Sequence, residues 1–336
     1  MTNLDTRPTE VLCDDRSRPG ARGSNPIQVL EPRDVPLGGI RAMTVRRTLP
    51  QRARSFIGAW CFLDHYGPDD VSLTGGMRVP PHPHTGLQTV SWLFSGEVEH
   101  RDSLGTHAFV RPGELNLMTA GHGISHSEDS TDATRVLHGV QLWTVLPEAH
   151  RDTAPAFDHY VPPVVPLEDG TLRVFLGSLG GSTSPVPTFS PLLGAEVVLA
   201  AGVEHTFAVD PRLEHGVLVD TGAVDVEGDP GAKDELLYVP PGATTLTLRS
   251  RGDGDCRVIL LGGLPLGERI VMWWNFIGRD HADVTVARQQ WQDQIGADDA
   301  VADPSGPPAR FGHVSGHPEP PLPAPPLPLQ ILKPRG

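Results

Sequence analysis

The chain has 336 residues, 37 glycines, 35 prolines and a formal charge of −14, from 27 Lys plus Arg against 41 Asp plus Glu. Its length predicts about two domains, with enough chain to bury a core without disulfide or metal staples. The acidic balance argues against direct binding to nucleic acid or to an anionic membrane, since both need a cationic face. Gly plus Pro make up roughly a fifth of the residues, against about 12% in average chains, which excludes an all-helical fold.

Three cysteines, Cys13, Cys61 and Cys256, form no CxxC pair and leave an odd count. That pattern fits a reducing compartment better than a disulfide framework. The opening MTNLDTRPTEV has no apolar signal region, and the apolar run RVILLGGLPL is interrupted by Gly and Pro before it could span a bilayer. A cytoplasmic protein without a membrane segment is expected.

Residues 1–25 are polar and punctuated by Pro and Gly, and are read as a disordered arm. Short strands follow at 41–49, 87–102, 135–146, 196–202, 215–228 and 256–263, several alternating apolar and polar residues at period two. Many short strands with frequent turns predict β-sandwiches or barrels. HYVPPVVPLEDG, 159–170, is too rich in proline for a central strand and reads as a linker between two units, 26–158 and 171–297. Asp280 is placed to cap a helix over 281–295, with Asp283 in its first turn and Val284, Ala287, Trp291 and Ile295 on one apolar face. From 298 to 336 the chain ends in a Pro-rich tail, HPEPPLPAPPLPLQILKP, read as disordered with polyproline II character and a solubilising or strapping role.

An internal repeat is visible. WLFSGEVEH at 92–100 can be laid on LVDTGAVDV at 218–226, a shift of 126, and VRPGELNLM at 110–118 on VPPGATTLT at 239–247, a shift of 129. Two copies of one β-unit explain both.

Potential ligands concentrate in the first copy. His82 and His84 are separated by one residue, so on a strand both imidazoles share a face, and His126 with Glu128 repeats the spacing. Three imidazoles and one carboxylate converging inside a barrel suit a divalent transition metal such as Fe(II), Mn(II), Ni(II), Cu(II) or Zn(II). His100 and Asp102 repeat the same-face spacing and read either as partners of the ligands, as an acid/base pair, or as a solvated strand end. Asp64 is read as fixing a turn, His138 as a strand residue near the barrel wall, and Met118 and Trp143 as core or pocket lining.

These segments, from RTLP at 47–50 through CFLDHYGP, HPHTGLQTV, FSGEVEHRDSLG and RPGELNLMTAGHGISHSE to PLGERIVMWWNFIGR at 265–279, resemble the pirin family of the cupin superfamily. The resemblance covers about residues 35 to 295. It implies an all-β bicupin, two jelly-roll barrels with a C-terminal helix, and one metal site in the N-terminal barrel held by His82, His84, His126 and Glu128. It implies iron, Fe(II), or a neighbouring metal. Carried by the two shifts, His82 and His84 land on Ala208 and Asp210, and His126 and Glu128 on Asp255 and Arg257, so the second barrel is expected to be metal-free. Thr85 and Gln88 depart from the family's usual Arg and Glu. Gln88 is therefore expected to hydrogen-bond near the site rather than to ligate.

The resemblance leaves three functions open. One is a quercetin 2,3-dioxygenase-like enzyme on a flavonol-like small molecule, with Glu128 as catalytic base. The others are a redox-sensing regulatory cofactor acting through protein partners, and a non-redox metal enzyme.

Overall fold

The computed structural model describes residues 27–37, 43–297 and 309–336; the expected arm at 1–25 and the start of the tail lie outside them. Within these residues the chain forms two similar two-sheet β-units. The first has a seven-stranded sheet in the order Ala156–Tyr160, Leu115–Thr119, Leu87–Ser95, Val136–Val145, Trp60–Asp70, Met43–Leu49, Arg33–Leu37. Its second sheet runs Arg78–His84, Ile124–Ser130, Val98–Asp102, His107–Val110. The second unit repeats this plan. Its large sheet runs Gln28–Leu30, Leu236–Val239, Glu214–Thr221, Cys256–Gly263, Leu192–Leu199, Gly170–Leu176, Val165–Leu167, and its small sheet Glu204–Ala208, Thr245–Arg251, Ala223–Val226, Asp229–Gly231. Adjacent strands pair antiparallel throughout both units. The expected all-β bicupin with a C-terminal helix is present.

Two expected boundaries shift. Gln28–Leu30 pairs with Leu236–Val239, so the start of the first unit supplies an edge strand to the second. Half of the expected linker is strand, since Ala156–Tyr160 closes the first large sheet and Val165–Leu167 pairs with Gly170–Leu176. Proline is tolerated there because each segment lies at a sheet edge or a strand end.

The repeat is confirmed by topology, and its second shift is corrected. Gly96 and Gly222 occupy the same turn between equivalent strands, as the shift of 126 requires. The strand of His126 and Glu128, however, corresponds to Thr245–Arg251. Glu128 stands opposite His100, and Leu248 stands opposite Val226 at the equivalent place. His126 and Glu128 thus map to Leu246 and Leu248, not to Asp255 and Arg257, and His82, opposite His126, maps to Phe207, opposite Leu246, not to Ala208. A loop of different length between the copies misled the linear comparison. Leu246, Leu248, Phe207, Val224 and Val226 are all buried in one apolar core that fills the second barrel.

The large sheets of the two units pack against each other. Trp60, Val90, Trp92, Leu117 and Leu142 from the first meet Phe175, Leu192, Leu218, Ile259 and Leu261 from the second. Trp92 donates from Nε1 to Glu196 Oε2 at 2.9 Å, and its ring lies 4.7 Å from that of Phe175. A buried polar cluster completes the joint. His65 Nε2 and His138 Nε2 lie 2.8 and 2.6 Å from Asp220 Oδ1, and Arg257 reaches Asp220 Oδ2 at 3.2 Å. His65 Nδ1 is 2.7 Å from Asp234 Oδ1, which also meets Arg46 Nε at 2.9 Å. Burial opposes ionisation of Asp220, but its bonds to His138 and His65 hold the carboxyl well below the usual range.

The helix forms at His281–Ile295 as expected, with Asp280 accepting from Asp283 N at 2.9 Å. Val284, Ala287 and Trp291 are buried, and Ile295 packs against the same cluster. The described part of the tail, 309–336, is not disordered. Trp291 Nε1 donates to Leu322 O at 2.8 Å, Leu322 N donates to Pro81 O at 2.8 Å, and Phe311 is buried beside Trp291 and Phe276. The prolines leave their carbonyls and spaced apolar side chains free to pack, so the segment straps the helix to the first barrel.

Candidate metal centre

Arg78–His84 contains three prolines, at 80, 81 and 83, in a single strand. It can do so because it is the outer strand of its sheet, where missing amide donors break no interior ladder. Its partner is Ile124–Ser130, with His126 opposite His82 and Ile124 opposite His84. Period-two alternation turns His82, His84, His126 and Glu128 into the barrel, and all four are buried. Outward-facing Ser125 and Asp129 instead meet the tail, Ser125 Oγ donating to Phe311 O at 2.9 Å and Asp129 Oδ2 lying 2.8 Å from His317 Nε2.

His82, His84 and His126 each bring a ring nitrogen into one group of atoms lying within 4.8 Å of one another. His84 Nε2 and His126 Nε2 are 3.1 Å apart. His82 Nδ1 lies 2.9 Å from Pro80 O, and its Nε2 is buried without a hydrogen-bond partner. Since a carbonyl only accepts, His82 Nδ1 carries the hydrogen and Nε2 presents a lone pair. Burial, opposed by the bond to Pro80, pushes His82 down to about 4. Burial and repulsion from neighbouring imidazoles push His84 and His126 well below their ordinary value. The three rings are therefore neutral near pH 7, as coordination requires.

Glu128 falls in an adjoining group with His126 and His100, not in the three-histidine group itself. Its carboxyl is buried in the barrel. Ser91 Oγ lies 3.3 Å from Glu128 Oε1 and 2.8 Å from Gln141 Oε1. Ser91 and Gln141 carry no motif, and only the inward phase of their strands could have pointed to them.

His100 and Asp102 are buried, which excludes the solvated strand end. Asp102 accepts from Leu104 N and Thr106 N at 2.9 and 3.0 Å and reaches His100 Nε2 at 3.3 Å. Trp143 lines the pocket, its ring edge-on to His84 at 5.2 Å and stacked on Phe62 at 4.0 Å. Asp64 is corrected. It fixes no turn but lies mid-strand, paired with Arg47 through two bonds of 2.6 and 2.7 Å. Gln88 is corrected as well. Its amide is used by Thr119 at 2.9 Å and Thr144 at 3.2 Å, and alternation puts it on the face of Val90 and Trp92, toward the other barrel.

The pirin family model matches residues 41–144, and the pirin C-terminal cupin domain matches 194–295. A Pseudomonas aeruginosa protein provisionally named a quercetin 2,3-dioxygenase is 42% identical over 96% of this chain and 98% of its own. A Caulobacter vibrioides pirin-like protein is 34% identical over 74% of this chain and 88% of its own. The crystal structure of a quercetin 2,3-dioxygenase from Acinetobacter baumannii superposes with a TM-score of 0.82 at 35% identity, covering 92% of this chain and 97% of that one. With matched barrels, a matched helix and a histidine pocket in the first barrel, this chain belongs to the pirin family.

Proposed function

We propose that the chain is a metal-dependent dioxygenase of the quercetin 2,3-dioxygenase type acting on a flavonol-like substrate. His82, His84, His126 and Glu128 would hold one divalent transition metal, Fe(II). The observation that carries this reading is the set of ring nitrogens. His82 Nε2 is a buried lone pair with no partner, and His84 and His126 meet Nε2 to Nε2 at 3.1 Å. Two ring nitrogens at that separation share either a proton or a cation, and a cation would engage the free Nε2 of His82 as well. The names of the P. aeruginosa and A. baumannii relatives support the substrate class.

Three imidazoles and a carboxylate suit iron among the borderline metals, and the carboxylate lowers the charge of a divalent centre, which favours its oxidation. A bound metal would supply Lewis acidity and redox capacity at this pocket. The protein's own residues do the rest. Glu128 takes the proton of the flavonol hydroxyl, as the only ligand candidate able to accept one and stay near. Ser91 holds the carboxylate's orientation from the facing large sheet. The stacked Trp143 and Phe62 keep one wall of the pocket apolar and dry. Free, buried Cys61 and Cys256 accord with a reducing cytoplasm, and no helix among the described residues is long and apolar enough to cross a membrane.

Metal analysis of anaerobically purified protein, followed by oxygen uptake with quercetin, tests the reading. Bound iron with quercetin-dependent uptake is the expected result. Iron without turnover would sink the enzyme reading in favour of a redox-sensing protein, and tightly held zinc would favour a non-redox enzyme.

A further inference from the structure

We propose that Asp102 and His100 form a relay that fixes the tautomer of His126, so that its Nε2 lone pair faces His82 and His84. The inference rests on the metal-binding reading of that pocket. It assigns a positioning role to two residues that do not themselves belong to the three-histidine group.

Asp102 Oδ1 is tied by two backbone amides, Leu104 N and Thr106 N, so the orientation of the carboxylate is set by the turn that follows the strand. Its other oxygen, Oδ2, lies 3.3 Å from His100 Nε2. An ionised carboxylate only accepts, so His100 carries its hydrogen on Nε2, and the Nδ1 of a neutral ring is then an acceptor. That Nδ1 lies 3.4 Å from His126 Nδ1. His126 must therefore donate from Nδ1, which leaves Nε2 as the lone pair. Nε2 is the atom that stands 3.1 Å from His84 Nε2.

Local packing keeps the relay in place. His100 and Asp102 share the inward face of Val98–Asp102, and the strand register sets Asp102 opposite His126 and His100 opposite Glu128. The ring of Phe157 lies 4.8 Å from that of His100 and blocks its rotation on one side. His82 reaches the same tautomer by a shorter route, through Pro80 O. Two of the three imidazoles are thus oriented by acceptors placed at their Nδ1 atoms. Such outer partners typically change metal affinity about 10–100-fold when removed.

The test uses the full chain labelled with ¹⁵N-histidine. Long-range ¹H–¹⁵N spectra of the metal-free protein report which nitrogen of His126 is protonated, and chelator competition reports Zn(II) affinity. Wild type is expected to show His126 protonated at Nδ1. His100→Phe keeps a ring against Phe157 but removes the acceptor. It should shift His126 partly to the Nε2-protonated form and weaken Zn(II) binding about 10–100-fold. Asp102→Asn can donate to His100 Nε2 and reverse the relay, so it should give the same tautomer change. His100→Gln restores an acceptor for His126 and should recover part of the affinity lost in His100→Phe. His126 protonated at Nε2 in wild type would overturn the proposal. So would an unchanged tautomer with less than about a threefold change in affinity in the variants. Loss of Zn(II) in His100→Phe as complete as in His126→Ala would make His100 a ligand and also overturn it. Failure of wild type to turn over a flavonol defeats the proposed reaction and leaves each of these readouts intact.

Discussion

His84 and His126 point their Nε2 atoms at each other across 3.1 Å from neighbouring strands, with His82 beside them and no water-exposed surface on any of the three rings. The pocket is built before any ligand arrives, because strand pairing and burial set it. His126→Ala removes the ring common to both ligand groups. It should lose bound metal and activity together, with the midpoint of thermal unfolding no longer raised by added metal. Elemental analysis and calorimetry check this. A variant that keeps a full equivalent of metal would refute the shared role of His126.

Glu128→Gln separates holding from proton transfer. An amide oxygen can still coordinate, so much of the metal should remain. Turnover should fall about 10²–10⁴-fold, the usual contribution of a general base. Oxygen uptake measured per bound metal gives the answer. Near-normal uptake would leave Glu128 as an electrostatic ligand only.

Asp220→Asn strikes the joint between the barrels. It removes the charge that His65, His138 and Arg257 share in a buried setting, and breaking such a group costs about 3–5 kcal/mol. Denaturant unfolding at pH 7 should show that loss. The sign of its pH dependence follows from the depressed carboxyl. Its stabilisation is complete above the ordinary value of about 3.9 and is lost as pH falls through the folded-state value. The variant should therefore be weaker at neutral pH and show a flatter acid limb than wild type.

His215 gives a second pH window. Burial lowers its ring to about 4, so the folded state keeps it neutral while the unfolded chain takes up a proton below about 6.5. Stability from this residue is present above about pH 6.5 and declines as pH falls toward 4. His215→Gln should flatten that decline, measured by unfolding midpoints at matched metal content. An unchanged slope would assign the window to other groups.

Removing residues 309–336 tests the strap. Leu322 N would no longer occupy Pro81 O, and Trp291 would lose Phe311 from its side. Hydrogen exchange should quicken in Arg78–His84 and in the helix His281–Ile295, while the second barrel's core strands stay protected. Exchange that rises equally in both barrels would mean the tail supports the whole fold instead.

Much of this protein follows from local pattern. Period-two alternation marks most strands, Asp280 and the spacing of Val284, Ala287 and Trp291 mark the helix, and HxH with HxE marks the ligand faces, because strand and helix geometry convert spacing directly into a shared side. The shift of 126 also survives at the turns of Gly96 and Gly222, though not on the strand of His82. What the sequence could not give depends on partners distant along the chain. Gln28–Leu30 joins the far barrel because an edge strand takes whichever edge is open. The Pro-rich tail becomes a strap because the helix and the edge strand of the first small sheet offer it donors, acceptors and apolar surface, none of which its own composition reveals. His126 maps to Leu246 rather than to Asp255, because only pairing register reports the loop-length difference between the copies. His65, His138 and Asp220 meet only when two separately formed sheets dock, so the chemistry of that joint was decided by tertiary packing, while the chemistry of the histidine pocket was already written in two short strands.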